Sequence, residues 1–148
     1  MDNYNLERFV QAQESRYDGY ADALEQIHNG RKTSHWIWYI FPQIKGLGQS
    51  KMSETYGISG IEEAQEYIEH SVLGERLREI SEALLELETN RIEDVMDWPD
   101  PLKLKSSMSL FAQAAPEEKV FNEVLCKFFG GSQDIRTLWL LEHPGELD

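Results

Sequence analysis

Apolar side chains recur along most of the chain at the three- and four-residue spacing that places them on one face of an α-helix. The longest example runs from Leu73 to Leu87, with leucine or isoleucine at positions 73, 77, 80, 84 and 87 and charged residues on the opposite face. Further stretches with this spacing cover residues 6–13, 20–27, 61–68, 104–115 and 120–128. The pattern predicts a protein built from amphipathic helices.

Residues that favour helix ends separate these stretches. Gly30 and Gly130 follow the last apolar positions of two of them, and glycine readily adopts the left-handed conformation that ends a helix. Asp100 precedes Pro101, an order typical of a helix start, because aspartate caps the helix and proline fits its first turn. The sequence therefore marks several of the predicted helix ends.

One segment, WIWYIF at residues 36–41, is ambiguous. Its aromatic and β-branched residues favour a strand by propensity. A strand needs a partner, however, and the sequence offers no second strand candidate. We therefore predict a helix that is capped by Thr33 or Ser34 and ends before Pro42. Because this helix would be apolar on nearly all sides, the predicted fold class is an all-α single domain with a central apolar helix surrounded by other helices.

Length and composition fit this fold class. The 148 residues are typical of one domain, which we expect to cover residues 1–148. The single cysteine, Cys126, excludes an intrachain disulfide and fits a reducing compartment. No apolar run approaches the ~20 residues that a membrane-spanning helix needs. The first residues, MDNYNLERF, also lack the basic and then apolar order of a signal peptide. We expect a cytoplasmic protein.

The net charge of −13 narrows the possible partners. Nucleic acids and anionic membranes both attract positive surfaces, so neither is expected to bind. Mutual repulsion at this charge favours a monomer or a weak homodimer. The carboxylates are unevenly distributed, however, and none occurs in residues 26–53 or 101–116, although both windows contain lysines. The windows either are buried core or meet to form a neutral-to-positive patch.

Four blocks of the sequence resemble a known family. They are RFVQAQ at residues 8–13, GRKTSHWIWYIFPQIKGLGQS at 30–50, EAQEYIEHSVLGERL at 63–77 and KLKSSMSLF at 103–111. Together they are similar to the bacterial domain-of-unknown-function family 1810, whose members are sometimes mislabelled calpastatin. The resemblance implies an all-α domain with a central helix and implies no established activity. This chain departs from the family pattern at Ser71, where proline is usual, and at Met96–Pro101, where a glycine-containing turn is usual.

The residues suggest no metal and no cofactor, and they leave any catalytic group unknown. The histidines at positions 28, 35, 70 and 143 include no pair four residues apart, and Cys126 is the single cysteine. The chain contains no GxSxG nucleophile motif. Whether the protein is an enzyme therefore stays open. His35 is either a polar side chain at the start of the apolar segment or a catalytic or ligand-binding group.

Two lysine-bearing segments are candidates for binding a small anion, such as a nucleotide or another phosphorylated metabolite. The loop KGLGQSK at residues 45–51 is either a glycine-rich cradle for an anion or a simple turn. The serines of KLKSSM at residues 103–108 either bind a ligand or allow close helix packing. The hypothesis places a ligand where the end of the apolar segment meets the KLKSSM helix. The candidate ligand-binding residues are His35, Trp38, Tyr39, Gln43, Lys45, Gly46, Gly48, Lys105, Ser106 and Ser107.

The alternative hypothesis is a non-catalytic protein-interaction module. It would use the acidic faces of the predicted helices, which are rich in glutamate between residues 62 and 100. Trp98, in a proline-rich turn, is either a contact for such a partner or a lid on the core.

Overall fold

The computed structural model describes residues 4–144, and in that range the regular secondary structure is helical. Its nine α-helices are α1 (Glu7–Gln13), α2 (Tyr20–His28), α3 (Ile37–Ile40), α4 (Lys51–Thr55), α5 (Ile61–Glu69), α6 (Leu73–Leu85), α7 (Asp100–Ala114), α8 (Lys119–Phe129) and α9 (Ile135–Glu142). A 3₁₀ turn, Ile92–Asp94, precedes α7. Between residues 4 and 144 there is no strand, only a single parallel bridge between Ile44 and Ile58. The predicted all-α class is confirmed.

The buried apolar side chains of these helices belong to one continuous core, which confirms the single-domain fold class. The central helix is α7, in which ten of the fifteen residues are buried. It packs against α3, α5, α8 and α9. Within the described range, no helix is long and apolar enough to cross a bilayer.

Serines let α7 occupy this central position. Small side chains allow the neighbouring helices to approach closely, and a serine hydroxyl can donate to a carbonyl one turn earlier in its own helix. Ser106 Oγ donates to the carbonyl of Leu102 at 3.0 Å, and Ser109 Oγ donates to the carbonyl of Lys105 at 2.8 Å. The packing interpretation of KLKSSM therefore accounts for Ser106.

The apolar segment differs from the prediction in length. It was expected to be a helix capped by Thr33 or Ser34 and ending before Pro42, whereas α3 is one turn that begins after Trp36. The reason lies in α2, where the side-chain oxygen of Gln26 accepts the backbone N–H of Thr33 at 2.8 Å. Gln26 thus fixes the backbone at residues 33–34 against α2, a contact that a local pattern does not reveal.

Two other expectations for this segment hold. The helix ends at Ile40, and its C-cap Phe41 directly precedes Pro42, as proline requires. The side chains of Trp36, Ile37 and Phe41 are fully buried, so the segment is part of the core. The position at the centre of the fold, however, belongs to α7.

Arg8 joins α1 to the loop that precedes α5. Its guanidinium donates at 2.6–3.0 Å to four backbone carbonyl oxygens, those of Tyr4, Asn5, Thr55 and Gly57. Its fifth N–H donates to Glu63 at 2.9 Å. Glu63 in turn accepts the backbone N–H of Ser59 at 2.8 Å. The backbone of this loop then pairs with the segment after α3, because Lys45 N–H donates to the carbonyl of Ile58 at 2.7 Å.

Candidate functional site

The structure places three of the predicted ligand-binding residues in the core. Tyr39 donates its hydroxyl to the carbonyl of Asp18 at 2.6 Å, and its burial raises the pKa of Tyr39 to about 12. Ser106 bonds to its own helix, as described above. Ser107 is fully buried, and its hydroxyl has no hydrogen-bond partner in the described part of the chain. These three side chains support packing.

The structure brings some of the other predicted residues together, since Trp38, Gln43 and Gly48 line one small hollow, but it separates Lys45 from Lys105. Lys45, Gly46 and Gly48 line a groove of about 530 Å³ beside the end of α9. Gln43 lines a small hollow of about 20 Å³, enough for one water molecule. The ammonium of Lys105 lies 6.0 Å from the ring centroid of Phe129 on α8. Lys45 and Lys105 therefore face different neighbours, α9 and α8.

The two acid-free windows nevertheless meet, at lysines other than those two. Lys32 comes from the first window and Lys103 from the second, and both contact the carboxylate of Asp100 at the start of α7. Lys32 Nζ lies 2.7 Å from Asp100 Oδ2, and Lys103 Nζ lies 3.3 Å from Asp100 Oδ1. Two ammonium groups thus share one carboxylate.

Lys32, Asp100 and Lys103 lie in a cleft of about 510 Å³, hereafter the basic cleft. It separates the segment after α2 from the loop that enters α7. Its lining residues are Arg31, Lys32, Thr33, Ser34, His35, Trp38, Asp97, Trp98, Pro99, Asp100 and Lys103. The volume falls within the range of about 300–1,000 Å³ that small-molecule sites occupy. His35 and Trp38 are the two predicted ligand-binding residues that line the basic cleft.

Aromatic rings hold the two lysines in position. The ammonium of Lys103 lies 4.7 Å from the ring centroid of Trp38, and that of Lys32 lies 5.1 Å from the ring centroid of Trp36. Such cation–π contacts orient a charged group without neutralising its charge. The lysines are thus directed by neutral ring faces as well as by Asp100.

Lys32 is unusually enclosed for a lysine, with 7% of its side chain exposed. Its ammonium also donates to the carbonyl of Ser34 at 2.6 Å, and its backbone N–H donates to the carbonyl of Val95 at 2.7 Å. The cleft wall is therefore fixed both by the side chain and by the backbone of this residue.

Gln26 fixes the same wall from behind. Besides the N–H of Thr33, its side-chain oxygen accepts the indole N–H of Trp36 at 2.8 Å, and its amide nitrogen donates to Ser34 Oγ at 2.8 Å. Sequence analysis did not single out this residue. An isolated glutamine on an amphipathic helix carries no pattern that separates it from a solvated one.

The basic cleft carries a local excess of positive charge. Arg31 pairs with the carboxylate of Asp97 and donates to the carbonyl of Glu93 at 3.0 Å. With Lys32 and Lys103, the cleft has three cationic and two anionic side chains, which leaves one positive charge. The chain as a whole carries −13, so the cleft opposes the general sign of the protein.

The described residues contain no group of three or more histidine, cysteine, aspartate or glutamate side chains that could hold a metal ion. The chemistry that the cleft offers is instead charge pairing, hydrogen bonding and contact with aromatic rings. The candidate ligand-binding residues chosen from the sequence did not include Arg31, Lys32 or Lys103. All three lie in the sequence blocks that resemble the family, and their positive charge is the signal that could have identified them.

A family model and a solved structure are both similar to this chain. A family model described as "Protein of unknown function (DUF1810)" matches residues 3–141. The chain belongs to this family. The match covers nearly the whole chain and so confirms the resemblance found in the sequence blocks. No curated protein is significantly similar to the chain.

The DUF1810 chain is also similar to a solved structure, the crystal structure of the conserved hypothetical protein Rv1873 from Mycobacterium tuberculosis. The two share 43% sequence identity, and the match covers 95% of this chain and 99% of that one, with a TM-score of 0.91. The fold described above is therefore one that occurs in an experimentally determined relative. Neither description assigns an activity.

Proposed function

We propose that this DUF1810 protein binds a small anionic ligand in the basic cleft. The observation that carries the proposal is the shared carboxylate, since Lys32 and Lys103 contact opposite oxygens of Asp100. One carboxylate neutralises one of the two ammonium groups. A phosphate or carboxylate group of a ligand would neutralise the other.

Lys103 is the residue best suited to contact that group. An ammonium has three N–H donors, and within residues 4–144 the Lys103 ammonium has one oxygen acceptor, Asp100. Its side chain is 24% exposed, whereas Lys32 is nearly enclosed. Partial enclosure strengthens charge pairing relative to the open surface, because solvent screens the charges less. The ligand's anionic group would thus contact Lys103 first.

His35 and Ser34 would contribute polar groups beside the same ligand. His35 is exposed at the cleft, and Ser34 is half-buried there. The groove that Lys45, Gly46 and Gly48 line is a separate place on the molecule and lacks a comparable pair of cations. We therefore place the ligand in the basic cleft rather than at the glycine-rich loop.

A thermal-shift panel of inorganic phosphate, nucleotides, sugar phosphates and organic acids tests the proposal. A ligand at about ten times its Kd adds roughly 1.4 kcal/mol of stability. This corresponds to about 3–6 °C in Tm for a domain of this size. We expect at least one anionic compound to raise Tm by this amount, and we expect Lys103→Met to abolish the rise.

Lys105→Met is the matched control. It removes the same charge from the same helix, two residues away, but its ammonium lies against Phe129 on α8. The ligand-induced rise should survive this change. A panel without any shift, or a shift that Lys105→Met removes and Lys103→Met leaves intact, would contradict the proposal.

The alternative, a protein-interaction module that uses acidic helix faces, has one observation in its favour. The exposed side of α6 presents Glu75, Glu79, Glu82 and Glu86 along one face. A basic partner would be attracted to this ridge. Replacing Glu79 and Glu82 by lysine should abolish co-purification of such a partner, and a partner retained by this variant would remove the ridge from consideration.

A further inference from the structure

Trp98 is the most exposed aromatic side chain of the basic cleft. It lies at the rim, and 72% of the residue is accessible to solvent. A large aromatic side chain gains free energy when it leaves water, so an exposed tryptophan beside a cleft is typical of a contact site. Trp38 also lines the cleft, but the ammonium of Lys103 already lies over its ring. Trp36, behind the cleft wall, is fully buried and so is not available to a ligand.

The exposed ring and the charge pair lie in the same cleft. Trp98 precedes Asp100 by two residues, and Asp100 holds the ammonium groups of Lys32 and Lys103. A cleft of about 510 Å³ admits a molecule that has both a charged end and a ring. A bare anion would leave the indole in water.

We propose that the ligand of the basic cleft is a planar aromatic or heteroaromatic compound with a phosphate or carboxylate group. This inference rests on the proposed function and specifies its ligand class. The anionic group pairs with Lys103, and the planar ring stacks on Trp98. Aryl phosphates and nucleoside monophosphates both have this chemistry.

Two probes of equal charge and similar size separate the ring from the charge. Phenyl phosphate has a planar ring, and cyclohexyl phosphate has a saturated one. Their affinities can be measured by NMR titration of the isotopically labelled full chain, with inorganic phosphate as a third probe. We expect phenyl phosphate to bind about two- to tenfold more tightly than cyclohexyl phosphate, the range that an aromatic pair contributes beyond its buried area.

Variants assign the preference to Trp98. In Trp98→Ala the two organic phosphates should bind equally, whereas Lys103→Met should weaken both. Trp139→Ala is the control, because Trp139 of α9 is also partly exposed but stacks on His143, directly after that helix and outside the basic cleft. This control should keep the preference for phenyl phosphate.

The outcomes distinguish the two proposals. If none of the three probes binds, or if Lys103→Met leaves all affinities unchanged, the proposed function fails and the ligand class fails with it. If the probes bind but the phenyl and cyclohexyl compounds are equal, the ligand class alone is wrong. A preference that persists in Trp98→Ala likewise overturns the role of the ring while leaving the anion site intact.

Discussion

The contact between Arg8 and Glu63 provides a quantitative test of how the fold is held together. All five N–H donors of the Arg8 guanidinium have acceptors, four backbone carbonyls and the Glu63 carboxylate. Glu63 is 3% exposed and Arg8 is 18% exposed at their side chains. Arg8→Met would leave a buried carboxylate without its cation and deprive the carbonyls of their donor.

Breaking a buried ion pair by removing one partner costs about 3–5 kcal/mol. The total stability of a domain is about 5–15 kcal/mol, so Arg8→Met should remove a large part of it. Urea unfolding followed by circular dichroism measures this loss at 25 °C. We expect the midpoint to fall sharply while the slope of the transition stays the same, since the surface exposed on unfolding hardly changes.

A double variant separates the charge from the hydrogen bonds. Glu63→Gln removes the buried charge, so Arg8→Met with Glu63→Gln should cost less than the sum of the single changes by about 1 kcal/mol or more. Arg16→Met is the control, because Arg16 is exposed and its contact among residues 4–144 is with the ring of Tyr17. This change should alter stability by less than about 0.5 kcal/mol. A loss below about 1 kcal/mol for Arg8→Met, or strict additivity in the double variant, would refute this reasoning.

Three further predictions concern single positions. Gly74→Ala should destabilise the protein more than Gly130→Ala, as measured by chemical denaturation. A Cβ at Gly74 would lie 2.0 Å from a backbone oxygen. At Gly130 only the left-handed backbone conformation opposes the substitution, at a cost of about 1 kcal/mol. Gln26→Leu should cost about 1–3 kcal/mol in the same assay, because it removes the acceptor of the indole N–H of the fully buried Trp36. The pKa of Tyr39 is raised from 10.0 to about 12. Stability should therefore fall as pH rises from 10 to 12, and Tyr39→Phe should reduce this loss.

The helices that were predicted best are those whose signals are local. The apolar spacing and the end signals of residues 73–87 and 120–130 depend on neighbours in the chain, and α6 and α8 form there. The length predicted for the helix in residues 33–41 was wrong. The backbone N–H groups of Thr33 and Ser34 donate to Gln26, which lies on another helix. A contact between distant residues leaves no trace in a local pattern.

The candidate site illustrates the same limit. The sequence correctly singled out two windows without acids, and these windows do meet. It did not identify which lysines meet, because Lys103 and Lys105 are two residues apart on α7 and so point about 200° apart around the helix axis. Which of the two faces α3 depends on how α7 packs, and that is decided by the whole core.

The proposed function places the anion in the basic cleft and not at the glycine-rich loop. NMR titration of the labelled protein with phenyl phosphate tests this claim directly, because amide shifts locate the ligand. We expect shifts concentrated in residues 31–38 and 97–103, the two sides of the cleft, and we expect Lys103→Met to remove them. Shifts concentrated instead in residues 44–49 and 140–144, around the groove of Lys45, would contradict it, as would an unchanged spectrum.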